Sequence, residues 1–96
     1  MKTLPVKNSK DEIQGYIVEC PACKCSHIFY TIYNNKPQWT FNGNLENPTF
    51  NPSMLVHPNK TGDQKRCHSF VRDGKIQYLN DCEHEMRGQT VELPEI

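Results

Sequence analysis

Residues 67–80 read CHSFVRDGKIQYLN and decide how the fold is interpreted. Asp73-Gly74 lies between two segments rich in strand-forming residues, which makes it the strongest short-range hairpin signal in the chain. A two-residue turn there predicts that Cys67 pairs with Asn80. Since alternate side chains of a strand share a face, this turn also predicts which side chains meet across the hairpin.

Other segments on both sides of this hairpin have the composition of short strands. They are residues 13–19, 27–33, 38–42, 53–57 and 89–93. Turn-forming residues separate them, and the chain has no long amphipathic helical pattern. Glu83–Arg87 is expected to form one helical turn that ends at Gly88. We therefore predict a small all-β or β-rich domain, built as an antiparallel meander with hairpins.

A chain of 96 residues suits one domain, and we assign residues 13–96 to it. Residues 1–12 are polar and are interpreted as a flexible N-terminal arm or an edge strand. Because so small a domain buries a limited share of its surface, its core needs a supplement. Five cysteines point to a metal or disulfides in that role.

The charge balance and the lack of targeting patterns limit the function classes. Eleven basic and eleven acidic residues give a net charge of zero, which argues against binding nucleic acid through bulk positive charge. No apolar run approaches the roughly 20 residues that span a bilayer. No signal-peptide pattern opens the sequence. We expect a cytoplasmic protein, because structural disulfides are uncommon in the cytosol and nothing in the sequence directs the chain elsewhere.

Cys20 and Cys23 form a CPAC motif between two strand-like segments. This spacing lets two thiolates bind one ion, and zinc prefers four such ligands in a tetrahedron. A redox pair is the alternative, but redox CxxC motifs usually open a helix, which this context does not offer. We therefore favour a structural zinc knuckle.

The hairpin register supplies the second pair of ligands. Cys67 and Cys82 become diagonal neighbours on one face, so the predicted zinc site is closed by four cysteines. These are Cys20, Cys23, Cys67 and Cys82. His84 is a rival fourth ligand, and Cys25 and His27 are weaker rivals because they follow Cys23 closely. For Cys25 a role outside the site is the better interpretation, since four ligands suffice.

A second group of side chains has the chemistry of nucleophilic catalysis. His68 lies on the face of the hairpin opposite to Cys67 and diagonal to Asp81, whose carboxylate could orient the imidazole. Ser53 opens a strand directly after Asn51-Pro52. From the residues alone, a turn or cap hydroxyl is the better explanation of Ser53, and a solvated strand histidine is the better explanation of His68.

Three segments resemble a family of small phage and prophage proteins that often carries the label "ammonia monooxygenase". They are CPACKCSH at residues 20–27, PTFNPS at 48–53 and CHSFVRDGKI at 67–76. The label does not suit 96 soluble residues, since that enzyme is a membrane-bound copper oxidase of several subunits.

The family in turn is similar to the serine-peptidase-like family of bacterial ubiquitin-like conjugation (Bub) operons, which are associated with phage defence. That resemblance implies a Ser–His dyad formed by Ser53 and His68, and it implies a location in the cytoplasm of a bacterial or phage-infected cell. Ser69 and Phe70 follow His68 where the peptidase group has two aromatics, which makes Ser69 a rival nucleophile.

These observations support function hypotheses from different classes. The first is a hydrolase in which Ser53, His68 and Asp81 cleave a peptide or a ubiquitin-like protein, while zinc braces the fold. The second is a non-catalytic zinc-binding phage accessory or anti-defence protein that contacts partners through aromatic side chains. Candidates for those contacts are Trp39, Phe41 and Phe50. A third is metal-assisted hydrolysis at Cys20, Cys23 and His84 with an open ligand position.

Overall fold

The computed structural model describes residues 1–33, 36–56 and 66–96, and at residues 33, 36 and 37 it describes the backbone alone. These ranges contain ten strands and no helix, so the predicted all-β class is confirmed. The strands are β1 (Leu4–Lys7), β2 (Ile13–Cys20), β3 (Cys25–Tyr30), β4 (Ile32–Tyr33), β5 (Lys36–Pro37), β6 (Thr40–Phe41), β7 (Phe50–Val56), β8 (Cys67–Arg72), β9 (Lys75–Tyr78) and β10 (Thr90–Glu92). In the described part of the chain, no helix is long and apolar enough to cross a membrane.

The N-terminal half forms a three-stranded antiparallel sheet in the order β1-β2-β3. Its central hairpin runs from the pair Gly15–Tyr30 to the pair Cys20–Cys25, so the CPAC motif forms the turn. Strands β4 and β5 form a separate two-stranded sheet. The N-terminal arm therefore contains an edge strand, β1, which is one of the two interpretations of the sequence; the division of the chain at residue 12 stays a prediction.

The second sheet has five strands in the order β10-β9-β8-β7-β6. Each strand pairs with the next one in the sequence, and every pairing is antiparallel, so the predicted meander is confirmed. Side chains alternate between its faces. Cys67, Ser69 and Val71 of β8 are buried on the core face, and His68 and Phe70 between them lie on the outer face and are partly exposed.

Aromatic side chains join the two larger sheets. Phe29 of β3 stacks on Phe50 of β7 with ring centroids 4.4 Å apart, and Phe41 stacks on the same ring at 5.0 Å. Trp39 meets the edge of Phe29 at 5.7 Å. Phe29 and Phe50 are fully buried, and Trp39 and Phe41 pack against the core. The aromatics considered for partner contacts therefore contribute to the core.

The β8–β9 hairpin has the turn that the sequence predicts. Asp73 and Gly74 both have positive φ, 51° and 77°, as a type I′ turn requires. The predicted pairing of Cys67 with Asn80 does not form. Strand β9 ends at Tyr78, and the chain then turns, with the N–H of Cys82 donating to the carbonyl of Leu79 at 3.2 Å.

The prediction of one helical turn at Glu83–Arg87 is also wrong. This segment forms successive bends and turns closed by bonds between residues three apart, from Arg87 N to His84 O and from Gln89 N to Met86 O. Gly88 does end the segment, with φ at +78°. Five residues without further helical neighbours cannot offset the cost of helix nucleation, so tertiary contacts determine their conformation.

Two glycines with similar positive φ angles, Gly43 and Gly74, allow a test of the hairpin turn. A Cβ at Gly74 would lie 2.8 Å from Oδ1 and 3.2 Å from Cα of Asn47, whereas a Cβ at Gly43, with φ of +84°, meets nothing within 4 Å. We expect Gly43→Ala to lower the free energy of unfolding by about 1 kcal/mol through its positive φ alone. Gly74→Ala should lower it by about 2–4 kcal/mol because steric overlap adds to that strain. Urea unfolding of both variants measures the difference, and equal losses would contradict this packing.

Candidate active site and metal centre

A shift in the β7–β8 register places Ser53. Phe50 pairs with Val71, and the regular ladder resumes where Met54 pairs with Ser69, so four steps along β7 match two along β8. The additional residues form an irregularity that ends at the half-buried Ser53. Such irregularities re-aim side chains, and this one directs the Ser53 hydroxyl toward the partner strand.

Ser53, His68 and Asp81 form one continuous hydrogen-bonded arrangement. His68 pairs with Leu55 across the ladder, so its ring lies beside Ser53 on the outer face of the sheet. The Ser53 Oγ is 3.1 Å from His68 Nε2. On the other side of the ring, Nδ1 is 2.9 Å from Oδ2 and 3.1 Å from Oδ1 of Asp81. The structure therefore brings together the three side chains that the sequence proposes for catalysis.

The two hydrogen bonds of the His68 ring run in the direction that activation of a serine nucleophile requires. The hydrogen bond from His68 lowers the pKa of the Asp81 carboxyl, so the carboxylate stays ionised and accepts from Nδ1–H. Fixing the proton on Nδ1 leaves the lone pair of Nε2 directed at the Ser53 hydroxyl. The imidazole is thereby arranged to accept the hydroxyl proton.

The neighbouring serine does not share this position. Ser69 is 1% exposed and lies on the core face of β8, opposite Met54 and Tyr78. Its side chain therefore points away from the His68 ring.

Trp39 contributes a contact to the site that the sequence did not indicate. Its indole Nε1–H donates a hydrogen bond to the backbone carbonyl of Ser53 at 3.4 Å.

A cysteine–histidine cluster lies on the core face of the same strand, β8. The ligand atoms of Cys20, Cys23, His27 and Cys67 are all within 4.8 Å of one another. The CPAC turn positions two of these thiols, with the N–H of Cys23 donating to the Cys20 Sγ at 3.4 Å. His27 and Cys67 come from β3 and β8, so the cluster joins the two sheets.

The geometry of the cluster fits a tetrahedral metal ion. The sulfur atoms of Cys20 and Cys67 are 4.0 Å apart. Two thiolates bound to one tetrahedral zinc at about 2.3 Å would be about 3.8 Å apart. His27 is buried, and its Nε2 has no hydrogen-bond partner in the described ranges. Because a buried polar atom without a partner is costly, these four residues could hold a metal ion.

The electrostatics of the thiols agree with a cation site. Hydrogen bonding from Cys67 lowers the pKa of Cys20 to about 3. Burial raises the pKa of Cys23 to about 12, and hydrogen bonding to Cys20 raises the pKa of Cys67. One thiolate is therefore favoured, and its charge opposes ionisation of the other two. A divalent cation removes this conflict, since coordination favours every thiolate at once.

Cys82 lies in a second, overlapping group. The ligand atoms of Cys67, Cys82 and His84 are also within 4.8 Å of one another. Of the four cysteines predicted as ligands, the structure brings Cys20, Cys23 and Cys67 together, with His27 beside them. The fourth, Cys82, lies together with Cys67 and the rival ligand His84. Cys25 belongs to neither group.

His27, which the sequence offers only as a weaker rival ligand, reaches the cluster through the register of the β2–β3 hairpin. In the β2–β3 hairpin, Cys20 pairs with Cys25 and Val18 pairs with His27, so His27 is a diagonal neighbour of Cys20 on one face. Tyr78 is a further participant that the sequence did not indicate. Its hydroxyl is 3.2 Å from the Cys20 Sγ and accepts from the N–H of Ala22 at 3.2 Å, which ties β9 to the CPAC turn.

The fold and the side-chain geometry define a class: an all-β protein with a Ser–His–Asp arrangement on one face of a sheet and a cysteine–histidine cluster on the other. A comparison with known protein families matches residues 1–79 to BubE, described as the bacterial ubiquitination-like system serine protease. The chain belongs to the BubE family, which confirms the resemblance to the Bub serine-peptidase-like proteins. The match includes Ser53 and His68 and ends before Asp81. No curated protein and no solved structure matches the chain.

Metal content of single variants tests the composition of the cluster. We expect Cys20→Ser and His27→Ala to lose bound metal, because each removes a ligand atom from the four-residue group. Cys25→Ser is the matched control from the same hairpin. It should retain one metal ion per chain and lower the stability of the fold less than Cys20→Ser does. Elemental analysis of the purified variants gives the answer. Loss of metal from Cys25→Ser with retention in His27→Ala would refute this ligand set.

Proposed function

We propose that this protein is a serine hydrolase that cleaves a peptide bond in a protein substrate of a ubiquitination-like pathway. The observation that carries the proposal is the continuous Ser53–His68–Asp81 arrangement, with contacts of 3.1 Å and 2.9 Å. Membership of a family described as a serine protease of such a pathway supports the same activity. A C-terminal extension on a ubiquitin-like protein is the substrate that this pathway suggests.

In the proposed mechanism, Ser53 Oγ attacks the carbonyl carbon of the scissile bond and its proton passes to His68 Nε2. The imidazolium is stabilised by Asp81, which keeps the ring oriented through Nδ1–H. His68 then protonates the leaving amine, and the acyl-enzyme forms at Ser53. A water molecule, deprotonated by the same Nε2, hydrolyses this ester and regenerates the serine. Backbone N–H groups beside Ser53 would hold the oxyanion.

We propose that the metal ion is zinc and that it is structural. Three thiolates and one imidazole are ligands typical of a closed tetrahedral zinc site, which leaves no open position for water. Cys67 and His68 are neighbours on β8, so their side chains point to opposite faces of the sheet. Zinc bound at Cys67 would therefore brace the core beneath the catalytic face. This separation also counts against the metal-assisted hydrolysis considered from the sequence.

The choice of His27 over His84 follows from hydrogen bonding. The Nδ1 of His84 accepts from the N–H of Met86 at 3.2 Å, so in the neutral ring the proton is on Nε2. A metal-bound histidine instead donates its second nitrogen's proton to an acceptor. We therefore propose Cys20, Cys23, His27 and Cys67 as the zinc ligands. The set closed by Cys82 remains the competing prediction.

Cleavage of a ubiquitin-like protein that carries a short C-terminal extension tests the proposed function. We expect wild-type protein to release the extension, with the new C-terminus identified by intact-mass analysis. The matched control is Asp81→Asn, which keeps the size of the side chain but weakens the orientation of His68. Absence of cleavage by wild-type protein on a panel of such extensions would favour a non-catalytic zinc-binding protein instead.

A further inference from the structure

The thiol of Cys82 contacts the backbone of the candidate catalytic histidine. Its Sγ accepts a hydrogen bond from the N–H of His68 at 3.2 Å and donates one to the carbonyl of the same residue at 3.1 Å. Cys82 is 4% exposed, so water does not compete for these two bonds. One buried side chain therefore contacts both polar groups of the His68 backbone.

This contact replaces a missing rung of the β8–β9 ladder. After the pair Ser69–Tyr78, a regular hairpin would continue with two backbone bonds between His68 and Leu79. One of them forms, from Leu79 N to His68 O at 2.9 Å. The carbonyl of Leu79 is instead used by the N–H of Cys82, which closes a turn around Asn80 and Asp81. The thiol of Cys82 takes the place of that carbonyl as the acceptor for His68 N–H.

The turn closed in this way carries Asp81. Because Cys82 is bound to the backbone of His68, the residue before it is held at a fixed distance from the His68 ring. The result is the pair of contacts from Nδ1 to the Asp81 carboxylate. We propose that Cys82 is a positioning residue that fixes Asp81 against His68 and thereby selects the Nδ1–H tautomer of the imidazole. Its effect on catalysis rests on the proposed function; its effect on the tautomer does not.

The same contacts distinguish Cys82 from the proposed metal ligands. Cys82 is absent from the group formed by Cys20, Cys23, His27 and Cys67, and its Sγ contacts the nitrogen and the carbonyl oxygen of His68 at 3.2 and 3.1 Å. The geometry therefore assigns the Cys82 thiol to the backbone of His68.

Matched substitutions at Cys82 test the inference. Cys82→Ala removes the donor and the acceptor, whereas Cys82→Ser restores both on a side chain of nearly the same size as alanine. We expect Cys82→Ala to lower kcat on the extended ubiquitin-like substrate by about 10- to 100-fold with little change in KM, as a small misplacement of a catalytic group does. Cys82→Ser should recover most of that loss. Both variants should retain one metal ion per chain.

The tautomer of His68, measured from the imidazole ¹⁵N chemical shifts, gives a readout independent of activity. Wild type and Cys82→Ser should show mainly Nδ1–H, and Cys82→Ala should show more Nε2–H. If Cys82→Ala does not fold, Cys82→Val is used in place of that variant, because valine keeps the buried volume without a donor or acceptor. The inference would be overturned if Cys82→Ala lost as much metal as Cys67→Ala does. It would also be overturned if the tautomer ratio of His68 in Cys82→Ala equalled that of wild type. An altered ratio in a protein without hydrolytic activity would support Cys82 as a positioning residue and reject the proposed function.

Discussion

Ser53→Ala is expected to abolish hydrolysis, with a loss of about 10⁴- to 10⁶-fold in kcat, because the hydroxyl is the proposed nucleophile and lies within hydrogen-bond distance of the His68 ring. The fold and metal content should not change. Ser53 lies on the outer face, and its hydroxyl contacts His68 Nε2 rather than a group of the core. Steady-state cleavage of the extended ubiquitin-like substrate measures the loss.

The variants of the partner side chains make this expectation specific. His68→Ala should cost about as much as Ser53→Ala, and the double variant should cost no more than either, because the two groups act as one unit. Asp81→Asn should lower kcat by about 10²- to 10⁴-fold if the carboxylate holds the tautomer as the 2.9 Å contact indicates. A dyad that does not use Asp81 would show a smaller loss.

Ser69→Ala is the matched control for the nucleophile. Ser69 lies next to His68 in the sequence, but its side chain is buried on the core face. Its replacement should leave kcat within a few fold of wild type once the folded fraction is taken into account. Full activity in Ser53→Ala together with loss in Ser69→Ala would transfer the role of nucleophile to the rival serine.

Removal of the metal should unfold the protein, which is the largest effect on stability that we expect. A structural zinc site contributes about 10–16 kcal/mol of binding free energy in small zinc-dependent peptides. The whole stability of a domain is about 5–15 kcal/mol. The cluster joins β2 and β3 to β8, so removal of the metal would leave two buried thiols, one half-buried thiol and a buried imidazole together without a cation.

Titration with a strong chelator, followed by circular dichroism and urea unfolding, tests this expectation. The β-sheet signal should be lost with the metal and return when zinc is added back. Ser53→Ala serves as the control, because it should bind and release metal as wild type does. Protein purified without chelator that lacks stoichiometric metal, or that keeps its urea midpoint after chelation, would contradict a structural role.

The hairpin and the faces of its side chains could be predicted from the sequence, because Asp73-Gly74 allows few alternatives. From that turn it followed that Cys67 and His68 point to opposite faces and that Asp81 lies near His68. The position of Ser53 could not be derived in this way. It depends on an irregular register between Phe50 and Met54, which alternation along a regular strand does not predict. The resemblance to a known family indicated Ser53 instead.

The composition of the metal cluster shows a second limit. Extending the hairpin ladder to residue 80 predicts Cys82 beside Cys67, and their ligand atoms do lie within 4.8 Å of each other, although β9 ends at Tyr78 and the following turn also brings the Cys82 thiol to the His68 backbone. His27 joins Cys20, Cys23 and Cys67 because the β2–β3 hairpin packs against β8, and that tertiary contact cannot be derived from either hairpin alone. The sequence therefore indicated which residues gather at this place but not how they divide into groups.

The most direct test of the central claim is covalent labelling with a fluorophosphonate, which reacts with a serine only when a neighbouring base activates it. Wild-type protein is incubated with the probe, and the modified residue is located by peptide mass spectrometry. The proposed mechanism predicts one label per chain, on Ser53, and no label in folded, metal-loaded His68→Ala. Absence of label on wild-type Ser53, or equal labelling in His68→Ala, would contradict a serine activated by His68.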